Sequence, residues 1–175
     1  MGKSCLNKLS GNITVGCAIN PVGVKAIYLM HAEDVTFAFS NVPKRVVAAT
    51  FAGGTRSYLV EGYKQNIQVN GSLKSLDAAA SMDASVTFKI PQSAAGMGFV
   101  DTITTGKFYV LVMLNNADPV VLGSTVPLEC SAADFDSNAN ANMVTITLST
   151  PEGAAGCQMI VATNETRDSI ISKSV

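Results

Sequence analysis

Tryptophan is absent from this 175-residue chain, histidine occurs once, and charged residues make up only 14% of it, against about a quarter in an ordinary soluble domain. Each shortage argues against something. With no Trp and aromatics at 6%, the flat rings that a sugar-binding surface stacks on are scarce, which disfavours a glycan-binding β-sandwich module. The single histidine, His31, and four scattered cysteines, Cys5, Cys17, Cys130 and Cys157, include no CxxC pair and fit no zinc ligand set. No metal and no other cofactor is expected. The 12 lysines and arginines are balanced by 13 acids and do not cluster beyond Lys44-Arg45, so nothing resembles a grip for nucleic-acid phosphates. The longest purely apolar run, Phe108 to Leu114, falls far short of the roughly 18 residues of a membrane helix. At the N-terminus, MGKSCLNKLSGNITVGC has no continuous apolar core of a secretion signal, and Leu6 stands where the myristoylation pattern asks for Ser or Thr. Synthesis in the cytosol, with reduced and mostly buried thiols, is the expectation.

What the chain does have is apolar surface: 47% hydrophobic residues and a mean hydropathy of +0.29. Without a membrane segment, this excess is assigned to interfaces between subunits. One domain spanning 1–175 accommodates the length. Its centre is Lys107 to Gly123, KFYVLVMLNNADPVVLG, where two apolar runs flank a turn and predict a buried hairpin. A strand apolar on both faces needs a cover on each, either a second sheet or a helix on one side and a neighbouring subunit on the other.

The rest of the chain reads mostly as strands. Val24 to Met30, Val35 to Ser40 and Arg45 to Phe51 are short apolar or alternating runs separated by Asn, Pro and Gly. Ser57 to Asn70 predicts one long half-buried strand with Leu59, Tyr63, Ile67 and Val69 on one face and Lys64, Asn66, Gln68 and Asn70 on the other. Gly71 to Ala80 reads as a loop. Its partner strand follows, with Met82, Ala84, Val86, Phe88 and Ile90 alternating with Asp83, Ser85, Thr87 and Lys89. A single helix is expected between Pro91-Gln92-Ser93 and Gly106, with Ala95, Phe99 and Ile103 along its packed side. Val126 to Cys130, Met143 to Ser149 and Gln158 to Ala162 add strands, Asp134 to Asn142 a polar loop, and Thr163 to Val175 a mobile or partner-bound tail. The sum is a mainly β fold: a two-sheet antiparallel β-sandwich or barrel with one long hairpin and one flanking α-helix.

Catalytic patterns are weak. His31 lies beside Glu33 and Asp34, but adjacency alone makes no Ser-His-Asp arrangement, and a loop histidine is the plainer account. Asp134 and Asp136 with Asn138, Asn140 and Asn142 lack the glycine and the distal glutamate of a calcium loop. Gly53-Gly54 and Gly96 with Gly98 match no phosphate-binding motif. An enzyme is not expected. The polar face of the long hairpin is the candidate surface: Tyr63, Lys64, Asn66, Gln68, Asn70, Asp83, Ser85, Thr87 and Lys89.

The order of parts resembles the tail tube (major tail) proteins of long-tailed bacteriophages, in particular those of phages of Bacteroidota. The residues that carry this are an N-terminal segment with paired cysteines ending in GVKAIYL, the hairpin from Ser57 to Ile90, a helix leading into GKFYVLVMLNNADPVVLG, and an asparagine-rich loop before MVTITLS. One departure is Asn115 to Asp118, Asn-Asn-Ala-Asp where similar proteins have an Asn-Gly type turn. The resemblance implies a structural virion protein whose hairpins join side by side in a ring, commonly of six copies, with rings stacked into a tube that conducts DNA. It also implies tape-measure and tail-terminator proteins as partners, no membrane, and a place in the virion tail. The segments 1–20 and 163–175 would be arms available to partners. Other virion parts, such as a baseplate, head-tail connector or capsid decoration protein, are the alternative.

Overall fold

The computed structural model describes residues 23–41, 43–61, 67–76, 79–115, 117–135, 142–154, 156 and 158–175. Eleven strands and two helices run in the order β1 (Val24–His31), β2 (Val35–Asn41), β3 (Lys44–Phe51), β4 (Tyr58–Glu61), β5 (Gln68–Leu76), β6 (Ala79–Pro91), α1 (Ala94–Thr105), β7 (Lys107–Leu114), β8 (Val120–Leu122), β9 (Leu128–Phe135), β10 (Met143–Ser149), β11 (Met159–Val161) and α2 (Asn164–Ser172). The mainly β, two-sheet antiparallel reading holds. Nine strands form one antiparallel sheet in the order β11-β8-β7-β9-β10-β6-β5, with β1 on β7 and β4 on β1, while β2 and β3 form a second sheet of two.

The centre is β7. Its first residues pair with β9 (Lys107↔Glu129, Phe108↔Leu128) and its later ones with β8 (Val110↔Leu122, Val112↔Val120), while β1 runs along its other edge. At this switch the sheet folds over on itself. One main cluster fills the fold, drawing Phe108, Val110 and Val112 from β7, Ile27 and Leu29 from β1, Val86, Phe88 and Ile90 from β6, and Ile146 and Leu148 from β10. The alternate residues of β7 face the other way. Leu111 joins Met30, Val35, Val46, Val121, Ile160 and Ile170 in a second cluster, beneath β2, β3 and α2. Both covers that the apolar run requires therefore come from its own chain.

Strand β6 shows why the alternation reads so cleanly. Ala84, Val86, Phe88 and Ile90 are buried while Asp83, Ser85, Thr87 and Lys89 are only partly covered. Each large buried side chain contributes about 1.5–3 kcal/mol, so shifting β6 by one residue would turn all of them to the polar face. Helix α1 starts where Ser93, in extended conformation, accepts the Gly96 N–H at 3.0 Å and ends at Gly106. It packs on the main cluster through Val100 and Ile103.

Five expectations need correction. The stretch 57–70 is not one strand: β4 pairs with β1, β5 pairs with β6, and residues 62–66 lie outside the described residues. Gly71 to Ala80 is no loop, because β5 continues to Leu76 and β6 begins at Ala79, leaving only residues 77 and 78 between them. The buried side of α1 is Gly96, Val100 and Ile103, with Ala95 exposed, so its packed face is turned from the Ala95-Phe99-Ile103 line. Asp134 and Phe135 belong to β9 rather than to the polar loop. Two helices flank the sheets, not one, since the C-terminal segment is α2 rather than a free tail. Thr163 caps it, Ile170 is fully buried, and the Ser57 hydroxyl donates to the Ile170 carbonyl at 2.8 Å. Around them Ser57 N–H donates to Lys173 O and Val175 N–H to Ser57 O, at 3.1 and 3.2 Å. Thr166, also buried, donates to Val46 O at 3.2 Å and ties α2 to β3. Of the cysteines, Cys130 is a half-buried free thiol, and the others lie outside the described residues.

Candidate functional site

Because strand side chains alternate, the buried set of β6 fixes what lies opposite. The register places Gln68 of β5, Thr87 of β6, Thr147 of β10 and Ala132 of β9 in one row across four strands. Asn70, Ser85, Ser149 and Glu129 make the next row, Lys89, Thr145 and Asp134 a third, and Ser72 with Asp83 a shorter one. The Thr87 and Thr147 hydroxyls meet at 3.0 Å, and Ser131 donates to Thr147 O at 3.2 Å. A wall of hydroxyls and amides results, with Lys89 as its one cation among these rows. Among the described residues, the wall has no basic stripe to hold a phosphate chain.

Of the candidate residues named from sequence, Gln68 and Asn70 stand on β5 and Asp83, Ser85, Thr87 and Lys89 on β6, all on this one face. Tyr63, Lys64 and Asn66 lie outside the described residues. Sequence reasoning missed the other half of the wall: Ser72, Thr145, Thr147, Ser149, Asp134 and Glu129. The alternation of Thr145, Thr147 and Ser149 is visible in MVTITLS, but only the long-range pairing of β10 with β6 sets them beside Thr87 and Ser85.

The electrostatics around the wall are mild. Lys107, on β7, bonds Glu129 at 2.8 Å with both side chains largely in solvent; this hydrogen bond, with the glutamate's charge, raises the lysine pKa above its usual value. Burial pushes the Cys130 thiol pKa up, opposed in lesser part by backbone hydrogen bonding at Ala132, so the thiol, which donates to Ala132 O at 3.4 Å, stays protonated and poorly nucleophilic near neutrality. His31 ends β1 with its ring centroid 4.8 Å from that of Phe108 and 6.0 Å from that of Tyr58, a packing role at the sheet end. Among the described residues, no three His, Cys, Asp or Glu side chains gather as a metal site, and no helix is long and apolar enough to cross a membrane.

Three strands end the nine-stranded sheet, β11, β5 and β4, the last on the branch that leaves through β1. The β5 edge carries few of the usual guards against pairing with another chain: it has no proline and no register shift against β6, and a single lysine, Lys74. Comparison with family models, curated proteins and solved structures returned no match for this chain.

Proposed function

We propose that this chain is a structural virion protein that assembles into stacked rings, probed best as the tail tube of a long-tailed bacteriophage. The observation that carries the proposal is the β5–β6 hairpin, a long strand edge guarded only by Lys74 and joined to a face rich in Ser, Thr, Asn and Gln with Asp83 and Lys89 as its charges. An open strand edge with so few guards favours pairing with another copy, and edge-to-edge pairing that closes on itself yields a ring. A hydroxyl-rich wall whose charges are Lys89 and the acids Asp83, Glu129 and Asp134 suits a channel through which DNA slides, since acids do not hold phosphate and each additional phosphate-neutralising cation would add affinity and hold the strand back. The layout resemblance to tail tube proteins points the same way. Six copies per ring, tape-measure and terminator proteins as neighbours, and a location in the virion tail belong to this reading. Electron microscopy of the purified chain at rising concentration tests it: rings or hollow tubes are the expected outcome, and a strictly monomeric protein at every concentration refutes it.

A further inference from the structure

The nine-stranded sheet has three terminal strands, and they are not alike. The chain itself covers β11: Gln158 N–H donates to Met82 O at 3.0 Å on one flank, and Ala162 bridges Val46 of β3 in parallel beside it. Strands β4 and β5, by contrast, each have a strand partner on one side only among the described residues. The C-terminal residues bridge Ser57, just before β4.

Beside β4 runs a mostly apolar groove of about 600 Å³ between that strand and helix α1, lined by Tyr58, Leu59, Phe99, Met143 and Val175, with Glu61 and Lys89 also on its wall. Tyr58 and Leu59 remain 37% exposed and Val175 69%, so the chain leaves this apolar surface in water. On β5 the complementary feature is Leu73, which is 75% exposed, higher than any other large hydrophobic side chain described. The two strands also differ in charge: Glu61 is the only charged residue of β4 and Lys74 the only one of β5. The groove itself holds both signs, Glu61 and Lys89, so the match that β5 offers is its exposed Leu73 against the apolar lining.

We propose that the groove between β4 and α1 is the socket for strand β5 of a second copy, with Leu73 seated against Tyr58, Leu59 and Phe99. The contact uses a different surface on each partner, so it is heterologous: every copy offers one β5 and one socket, and the arrangement propagates until it closes. This rests on the self-assembly reading above and deepens it by naming both halves of the contact.

The test places the photo-crosslinking residue p-benzoylphenylalanine at Leu73 of the full chain, irradiates after assembly, and maps the joined peptides by mass spectrometry. Joining between copies to the peptides holding Tyr58–Glu61 or Ala95–Phe99 is the expected result. Assembled rings or tubes in which residue 73 joins only β5 of the neighbour, or joins no second copy, overturn the socket while leaving self-assembly standing. A protein that never assembles overturns both. Because Leu73 is exposed, Leu73→Asp serves as the second readout: thermal unfolding unchanged, and the concentration needed for assembly raised at least about tenfold. Assembly of Leu73→Asp at the wild-type concentration also overturns the socket.

Discussion

Two glycines of helix α1, two residues apart, should respond to the same substitution with opposite signs. In an isolated helix either Gly→Ala change stabilises by up to about 1 kcal/mol, because alanine has less backbone freedom to lose on folding. At Gly98 nothing lies within 4 Å of where the new Cβ would stand, so Gly98→Ala should realise most of that gain. Gly96 is buried where the start of α1 turns back over the end of β6. A Cβ there would run into the backbone carbonyl of Pro91 and come within 3.2 Å of both Ile90 Cγ2 and Ser93 Oγ. Backbone cannot rotate aside as a side chain can, so overpacking of about 1–3 kcal/mol outweighs the propensity gain. For a chain of this size about 2–4 °C in Tm accompanies each kcal/mol. Thermal and urea unfolding, followed by far-UV circular dichroism, should therefore find Gly98→Ala a few degrees above wild type and Gly96→Ala below it. Equal stabilisation by both would refute the claim that α1 is held tightly against the β6 terminus, and with it the geometry of the groove beside β4.

Other outcomes follow from the same packing. Phe88→Ala empties the middle of the main cluster and should cost about 3–5 kcal/mol, measured by urea unfolding, while a cost under about 1 kcal/mol would contradict full burial of that ring. Truncation before Asn164 removes Ile170 and uncovers the second cluster, so the shortened protein should bind a hydrophobic dye and aggregate; a soluble, cooperatively folded product would restore the free-tail reading. Because Glu129 raises the Lys107 pKa, the small stability this pair gives is complete below the lysine's unfolded value and is lost as pH rises through the folded value, above 10.5; NMR titration of Glu129→Gln should show the Lys107 pKa lowered toward that value. Assembled tubes of Gln68→Lys/Asn70→Lys, both exposed on the β5 face, should retain DNA in a salt-sensitive manner where wild-type tubes do not, and equal retention by both would remove the channel reading of that wall.

The parts of the fold legible in the sequence are those whose signal is local. Period-two burial in Met82 to Ile90 identifies β6, a Ser cap and a Gly stop bracket α1, and an apolar run marks β7 as central. What stayed hidden depends on partners far along the chain. Gly71 to Leu76 has the small, polar composition of a loop, yet forms a strand because β6 supplies a rigid template opposite it, residue by residue from Gly71↔Ala84 to Leu76↔Ala79. Helix α2 carries Asn, Glu, Arg and Asp in its first half and so looks solvent-bound. Of its two isoleucines, Ile170 is nevertheless fully buried, because β2, β3 and β7 leave room for it. That burial changes the argument from composition. A run apolar on both faces seemed to need a neighbour, but β7 is covered on one side by the folded-over sheet and on the other by β2, β3 and α2. The central strand therefore supplies no reason to assemble. Under the proposed assembly, the apolar surface available for a contact is at the rim, where Leu73 on one terminal strand and Tyr58 and Leu59 on another, with Val175 beside them, are among the large hydrophobic side chains left in water, as are Phe39, Met97 and Phe135 elsewhere. Placing assembly at the sheet's ends rather than its centre makes the two separable. Substitutions at Leu73 should change association without touching folding, and substitutions at Phe88 should do the reverse at concentrations where the folded fraction still assembles.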